Sequence, residues 1–218
     1  MPKVANYLIF GASGSIGSAC AEKIRLSGSV IKGSRDSTEL VQQIEMISEF
    51  DGVVWAQGIN SADSAIDFKR DSYENVMDAN VSFILDSLKL LLDAGKLARN
   101  SQLVILSSVW GRVSRPNKLS YGISKAALGG LVRSLAVDLG PIGIQVNAVS
   151  PGPVDTPMTI KNLNPEELGR VISEVPLKRL VTLNEVTSLI NELVTGKLSG
   201  VNGQEIVVDG GWGVSKLV

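Results

Sequence analysis

The hydrophobic pattern predicts a doubly wound α/β fold, a parallel sheet with helices on both faces. Short β-rich apolar runs alternate with longer segments of helical period along the chain. The runs show little in–out alternation, as strands covered on both faces do. Near the N-terminus one such run passes through a glycine-rich turn into a helix.

Taken in order, strands are expected at 6–10, 29–32, 52–56, 102–107, 144–150 and 205–209. Helices are expected at 15–27, 37–48, 72–94, 121–139, 165–174 and 183–195. The stretch DLGPIGIQV (138–146) carries a helix stop: Gly140 suits the C-terminal cap and Pro141 cannot continue the helix. PGPVDTPM (151–158) opens a proline-shaped loop after a strand, at the sheet end where α/β folds bind ligands. With no internal repeat, low-complexity tract or linker, residues 1–218 read as a single domain.

Composition excludes several functions. The net charge of −1 gives no bulk attraction to nucleic acid or anionic lipid. Cys20 is the only cysteine, so no intrachain disulfide forms and no cysteine cluster holds zinc. The chain has no histidine, which argues against a Ser-His-Asp hydrolase or a His-ligated metal. No apolar run is long enough to cross a bilayer, and the opening run is too short for a secretory signal. A cytoplasmic protein without metal, nucleic-acid or membrane partners is the expectation.

Two local patterns carry chemistry. Gly11, Gly14 and Gly17 form G-x-x-G-x-x-G between a strand and a helix. A turn without Cβ atoms lets backbone N–H groups approach a pyrophosphate, and the following helix N-terminus favours its charge. Ser13 and Ser15 add hydroxyl donors, and Ile16 sits at the helix start. The second pattern, LSYGISKAAL (119–128), sets Lys125 one helical turn after Tyr121. A free phenol has a pKa near ~10, too high for ready exchange at neutral pH. A neighbouring ammonium favours the phenolate and makes the phenol a usable general acid or base.

Ser107 and Ser108 end the strand LVILSS, thirteen residues before Tyr121 in the case of Ser108. Together with the glycine turn, Asn80 in VMDANVSF, YGISKAAL, NAVSPGPVDTPM (147–158) and GVNGQEIVVDGGW (200–212), they make the chain resemble the short-chain dehydrogenases/reductases over nearly its whole length. The resemblance implies a Rossmann-like sheet and an oxidoreductase moving a hydride between NAD(P) and a carbonyl or alcohol. By that resemblance Tyr121 would exchange the proton at the substrate oxygen. Lys125 would lower its pKa and bind the nicotinamide ribose, Ser108 would hold the substrate oxygen, and Asn80 would support a water relay. Pro151 and Gly152 would wall the nicotinamide, with Val154 and Thr156 on its carboxamide.

The chain departs from that family in four places. Phe10 stands where the family has threonine before its first glycine, and the glycine spacing itself resembles the extended members. WAQG (55–58) replaces Asn-Asn-Ala-Gly: Gly58 is kept, Ala56 brings no amide, and Gln57 is the candidate to supply one. Between VIKGSRD and DGVVWAQG there is room for only one helix. A six-stranded sheet lacking one edge βα unit is therefore expected, the alternative being that residues 29–36 fill the lost strand's place.

Ser34 and Arg35 follow the second strand and match the position that holds a 2′-phosphate, with Asp36 adjacent. They favour NADP, with NAD as the alternative. Arg112, Arg115 and Lys118 suggest an anionic substrate or carrier, against the plainer reading of a solvated basic loop. Segment 157–182 is the expected lid, with Met158, Ile160 and Leu163 as apolar lining. Helices 72–94 and 121–139 are apolar on more than one face, and in relatives such helices pair, so a homodimer or homotetramer is expected. A second functional reading is a non-catalytic cofactor sensor or scaffold of the same fold. A third is isomerisation or dehydration with a recycled cofactor.

Overall fold

A computed structural model describes residues 4–162 and 164–215; Leu163 lies outside the described residues, as do the side chains of Met158, Lys161 and Asn162. The lid lining expected of Met158 and Leu163 therefore has no structural description.

Six strands form one parallel sheet: β1 (Asn6–Phe10), β2 (Ser29–Gly33), β3 (Phe50–Trp55), β4 (Leu97–Leu106), β5 (Gln145–Pro151) and, later in the chain, β8 (Glu205–Val208). Their order is β2-β1-β3-β4-β5-β8. β2 pairs directly with β1, Asn6 opposite Ser29 and Phe10 opposite Gly33, and forms the sheet edge. Residues 29–33 thus keep the second strand's own place, and the edge unit beyond them is absent. A two-stranded parallel pair, β6 (Val154–Asp155) and β7 (Val181–Thr182), stands apart and was not expected from sequence.

Among the described residues there are eight α-helices: α1 (Ser15–Ile24), α2 (Ser37–Glu45), α3 (Arg70–Met77), α4 (Phe83–Asp93), α5 (Leu119–Leu139), α6 (Pro157–Asn162), α7 (Pro165–Glu174) and α8 (Leu183–Val194). Alternate residues of each strand feed two cores. Leu8, Phe10, Val53, Trp55, Leu103 and Ile105 pack with α4 and α5, while Tyr7, Ile9, Val54 and Val104 pack with α1 and α8. Burial on both faces explains why the strands read as continuous apolar runs. Connections leave β1 and β3 toward opposite sides, which opens a crevice at the carboxyl ends of these neighbouring strands.

The expected helix 72–94 is three pieces, because a π-helical turn at Asp78–Ser82 separates α3 from α4. The helix stop after α5 also differs in detail. Gly140 is a right-handed C-cap, and the left-handed residue is Gly143 (φ 87°) after a 3₁₀ turn. A Cβ at Gly143 would come within 2.6 Å of Asn100 Oδ1, so the close approach as well as the φ selects glycine there.

Phe10 and the WAQG segment make one packing unit. The Phe10 ring stacks on Trp55 (5.9 Å, 17°) and meets Phe83 edge-on (5.2 Å, 87°). Both Phe10 and Trp55 are fully buried. Trp55 Nε1 donates to Ser87 Oγ at 2.9 Å, so the indole satisfies its polar edge inside the core. Where threonine and asparagine would hydrogen-bond, this chain substitutes aromatic packing. The turn is still tied to β3 by backbone, through Ala56 N to Phe10 O at 3.0 Å. Phe10→Ala is expected to lower the unfolding free energy by about 3–5 kcal/mol, read from urea denaturation midpoints.

Candidate active site

The glycine turn is dictated by close contacts. Gly11 has φ +73°, and a Cβ there would come within 2.5 Å of Gln57 N. A Cβ on Gly17 would come within 2.1 Å of Gly11 O, so α1 can approach the turn only with glycine at that position. Gly14 N donates to Gly11 O at 3.0 Å and Gly14 caps α1 without a side chain. Ser13 and Ser15 follow in the same bend, at the N-terminus of α1.

A cleft of about 820 Å³ opens beside this turn, with Ile16 on its wall. Ala56, Gln57 and Gly58 line it from the end of β3, and Ser108 from the end of β4. Pro151, Gly152, Val154 and Thr156 line it from β5 and the loop beyond, and Tyr121 and Lys125 from α5. Gly11, Ser13, Gly14, Ser15, Gly17, Ser34, Arg35 and Asn80 do not line it. Thr156 is partly spent, since its Oγ1 accepts from Thr159 N at 3.2 Å and caps α6.

The Tyr121–Lys125 pair is held from three sides. Ser108 follows β4 and caps a 3₁₀ turn at Val109–Gly111, its Oγ accepting from Trp110 N at 3.3 Å, and it stands close enough to Tyr121 to act on the phenol's pKa. That turn lies against α5: a Cβ on Gly111 would sit 2.7 Å from Lys125 C. Lys125 Nζ donates to Leu106 O at 2.9 Å. At the start of α5, Asp63 accepts from Ser120 N at 3.2 Å and from the Ser120 hydroxyl, and its carbonyl accepts from Leu119 N. Burial raises the Asp63 pKa, but the Ser120 and Ser61 hydrogen bonds outweigh it, so the carboxylate stays ionised below its ordinary range. Asp63 lies 57 residues before Ser120, so no local pattern could have revealed this cap.

Asn80 sits in the π-helical turn, a feature that often marks functional sites. Its Oδ1 accepts from Ile59 N at 2.8 Å, and its Nδ2 donates to Ile59 O at 3.0 Å and Ser124 Oγ at 2.9 Å. The side chain is thereby committed to fixing the loop after β3 against α5. Gly58 separates it from the lysine: a Cβ there would lie 3.0 Å from Asn80 Oδ1 and 3.6 Å from Lys125 Nζ.

The electrostatics differ from the sequence expectation. Burial holds Lys125, only 4% exposed, down to about 8. Tyr121 is not lowered. Burial raises its pKa above the ordinary 10.0, and the Ser108 side chain is what opposes the rise. The reason is placement: Lys125 Nζ lies over the ring face, 5.8 Å from its centroid, with its hydrogen bond aimed at Leu106 O. Without a bound ligand the phenol is therefore a firmly protonated donor.

Gln57 is 8% exposed, and neither its Nε2 nor its Oε1 has a hydrogen-bond partner among the described residues. A buried amide left open on a cleft wall beside a glycine turn fits a polar ligand running from that turn toward Tyr121. The residues present thus fit a nicotinamide dinucleotide. At the far end, Asp36 Oδ1 accepts from Glu39 N (2.9 Å) as the α2 cap, which turns its carboxylate toward the helix. Ser34 Oγ donates to Glu39 Oε2 at 2.7 Å, and the Arg35 guanidinium lies 5.6 Å from the Phe83 ring centroid. Glu39, like Asp63, was not anticipated from sequence.

Comparison with known proteins agrees with this geometry. A family model described as enoyl-(acyl carrier protein) reductase matches residues 31–213. The 3-oxoacyl-[acyl-carrier-protein] reductase FabG of Rickettsia typhi is 30% identical, over 94% of this chain and 95% of that protein. The oxidoreductase UcpA of Escherichia coli K12 is 31% identical, over 84% of this chain and 74% of its own. A short-chain dehydrogenase family protein from Francisella tularensis has a TM-score of 0.86 at 26% identity, covering 98% of this chain and 100% of that one. The chain belongs to the short-chain dehydrogenase/reductase family, single-domain reductase type, whose members are NAD(P)-dependent oxidoreductases. The aldohexose dehydrogenase of Thermoplasma acidophilum shares the fold, with a TM-score of 0.89 at 24% identity over 99% of this chain and 96% of that one.

The depressed Lys125 pKa gives a stability prediction. The folded protein binds fewer protons than the unfolded chain between about pH 8 and the ordinary lysine value of 10.5, so its stability rises with pH through that window. Below it the buried charge is a full penalty. Lys125→Met is expected to melt higher than wild type at pH 7, with the gap narrowing as pH rises above 8.

Proposed function

We propose that this protein reduces a small-molecule carbonyl compound with NADPH, Tyr121 giving the proton to the carbonyl oxygen. The observation that carries this reading is the protonated Tyr121 phenol on the cleft wall, with Ser108 on the same wall and the Lys125 ammonium over its ring. Ser108 orients the substrate oxygen beside the phenol. Lys125 supplies positive charge and, through its remaining N–H donors, binds the ribose. The developing negative charge on the substrate oxygen then meets fixed donors. Asn80 acts one layer back by holding the loop that carries Gly58, and the water relay behind the lysine remains part of this proposal.

The bound nicotinamide would supply the hydride chemistry. Gly11, Gly14 and Gly17 shape the turn for the pyrophosphate by leaving out Cβ atoms, with Ser13, Ser15 and Ile16 at the head of α1. Ala56, Gln57 and Gly58 line the path between turn and phenol, and Pro151, Gly152, Val154 and Thr156 line the opposite wall. Arg35 and Ser34 stand for the 2′-phosphate, supported by Asp36 being occupied as a helix cap. A specific observation favours NAD instead: the Glu39 carboxylate beside Ser34 would accept from a free 2′-hydroxyl and repel a phosphate.

The assembly proposal is a two-fold dimer or tetramer, supported by Leu85, Ile123 and Val137, which stand exposed on α4 and α5. Among the described residues no helix is long and apolar enough to cross a membrane, and the cytoplasm is the proposed location.

Two measurements test this reading. Tyr121→Phe should lower kcat about 10²–10⁴-fold for carbonyl reduction while NADPH binding by fluorescence stays near wild type. Full activity in that variant would refute the proton-donor role. Arg35→Ala should weaken NADPH binding by about ten-fold or more and leave NADH binding nearly unchanged. Equal losses would favour the NAD reading.

A further inference from the structure

The part of the cleft beyond Tyr121 carries charge that proton donation to a carbonyl does not use. Lys118 immediately precedes α5 and is 8% exposed, yet it lines the cleft. Its Nζ lies 5.5 Å from the centroid of the Tyr121 ring, a distance close to that of Lys125. Two buried lysines therefore flank one phenol. Lys118 Nζ donates to Asn60 Oδ1 at 2.7 Å and, more weakly, to Ser61 O at 3.4 Å, which are neutral acceptors.

Among the described residues no ion pair holds Lys118. The nearby acid, Asp63, spends its hydrogen bonds on the α5 cap and the Ser61 hydroxyl, so its charge acts on Lys118 without direct contact. A buried ammonium with no directly paired counter-ion is costly unless a ligand supplies one, and the charge of Asp63 offsets that cost only from a distance. Its surroundings deepen the imbalance: Arg115 stacks over Trp110 at 5.3 Å, and Arg170 reaches the same cleft from α7. The one acid on this wall, Glu174, accepts from Trp212 Nε1 at 3.1 Å. Trp110 and Trp212 pack edge to face at 5.1 Å and bound the space with apolar surface.

We propose that the substrate is a short oxo acid, its carboxylate taken by Lys118 with Arg115 at the outer edge, and its carbonyl presented to Tyr121. This inference rests on the reductase reading above. With Lys118 and Lys125 both close to the same ring, an acid whose carboxylate and carbonyl are only a few bonds apart suits the space, and the tryptophan pair gives it an apolar wall. Reduction adds a hydride to the carbonyl carbon and a proton to its oxygen. The product is the hydroxy acid, and one reduced nicotinamide is oxidised per turnover. Lys118 is a specificity residue here, separate from the proton donor.

The test uses pyruvate, acetoacetate and levulinate, each beside its methyl ester, with NADPH and NADH as reductants. At least one acid should exceed its ester about ten-fold or more in kcat/KM. That preference should fall toward unity in Lys118→Met and decline partly in Arg115→Gln. A second readout needs no turnover: quenching of tryptophan fluorescence by the acid, whose apparent Kd should rise about 10- to 100-fold in Lys118→Met, as a lost charge-assisted hydrogen bond predicts. Melting curves of the variants confirm that both remain folded, and Arg115→Gln, at an exposed position, keeps the test open if Lys118→Met does not fold. Esters reduced as well as acids, a preference that survives both substitutions, or acetoacetyl-N-acetylcysteamine preferred over acetoacetate would overturn the proposal, the last in favour of a carrier thioester. Acid binding that depends on Lys118 without any reduction would uphold the anion site and sink the reductase reading. Absence of acid binding with reduction of neutral ketones would do the reverse.

Discussion

A buried ammonium set against a half-buried phenol is the constraint on which the rest depends. Lys125 is held inside the protein with one backbone carbonyl as its protein partner, and Tyr121 is kept protonated by the same burial. Neither group would choose this place on grounds of stability. The surrounding architecture exists to hold them there. β4 delivers the Leu106 carbonyl and Ser108, Gly111 lets the following turn press onto α5, and Asp63 pins the helix start. Asn80, in its π-helical turn, locks the β3 loop against Ser124 on the same helix. Each restraint comes from a different part of the chain, so the geometry at the phenol is a property of the whole fold.

The short edge of the sheet is balanced by a denser interior. The chain lacks one βα unit beyond β2, and the polar groups that would organise the adenosine side give way to Phe10, Trp55 and Phe83. Aromatic stacking fixes the turn by shape rather than by side-chain hydrogen bonds. The same exchange leaves Gln57 buried and without a protein partner, the one place on that wall where polarity was added rather than removed. The aromatic unit stabilises the scaffold, and the amide belongs to the ligand.

Much of this was legible in the sequence, for physical reasons. Six apolar runs with little alternation pointed to parallel strands covered on both faces, and the shortage of residues between β2 and β3 pointed to a lost unit, with residues 29–36 in the lost strand's place as the alternative. The three glycines, Ser108, Tyr121 and Lys125 follow local rules of turn and helix spacing, and all are where those rules put them. Asp63, Glu39 and the neutral direct partners of Lys118 were illegible because each depends on contacts made through the fold or on a side-chain rotamer. The π-helical turn was hidden too, since one extra residue in a helix hardly disturbs its apolar period. The direction of the Tyr121 shift was misjudged for a related reason. Spacing of four residues says that two side chains share a helix face, but not that the ammonium sits over the ring instead of at the hydroxyl.

The central claim is that the phenol of the ligand-free protein holds its proton while the lysine beside it is the easier group to deprotonate. The most direct measurement is an NMR titration of protein carrying ¹³Cζ-tyrosine, with Tyr121 assigned through Tyr121→Phe. The account predicts that the Tyr121 signal stays in its protonated position until above pH 10. A Tyr121 transition well below that, near neutrality, would contradict it.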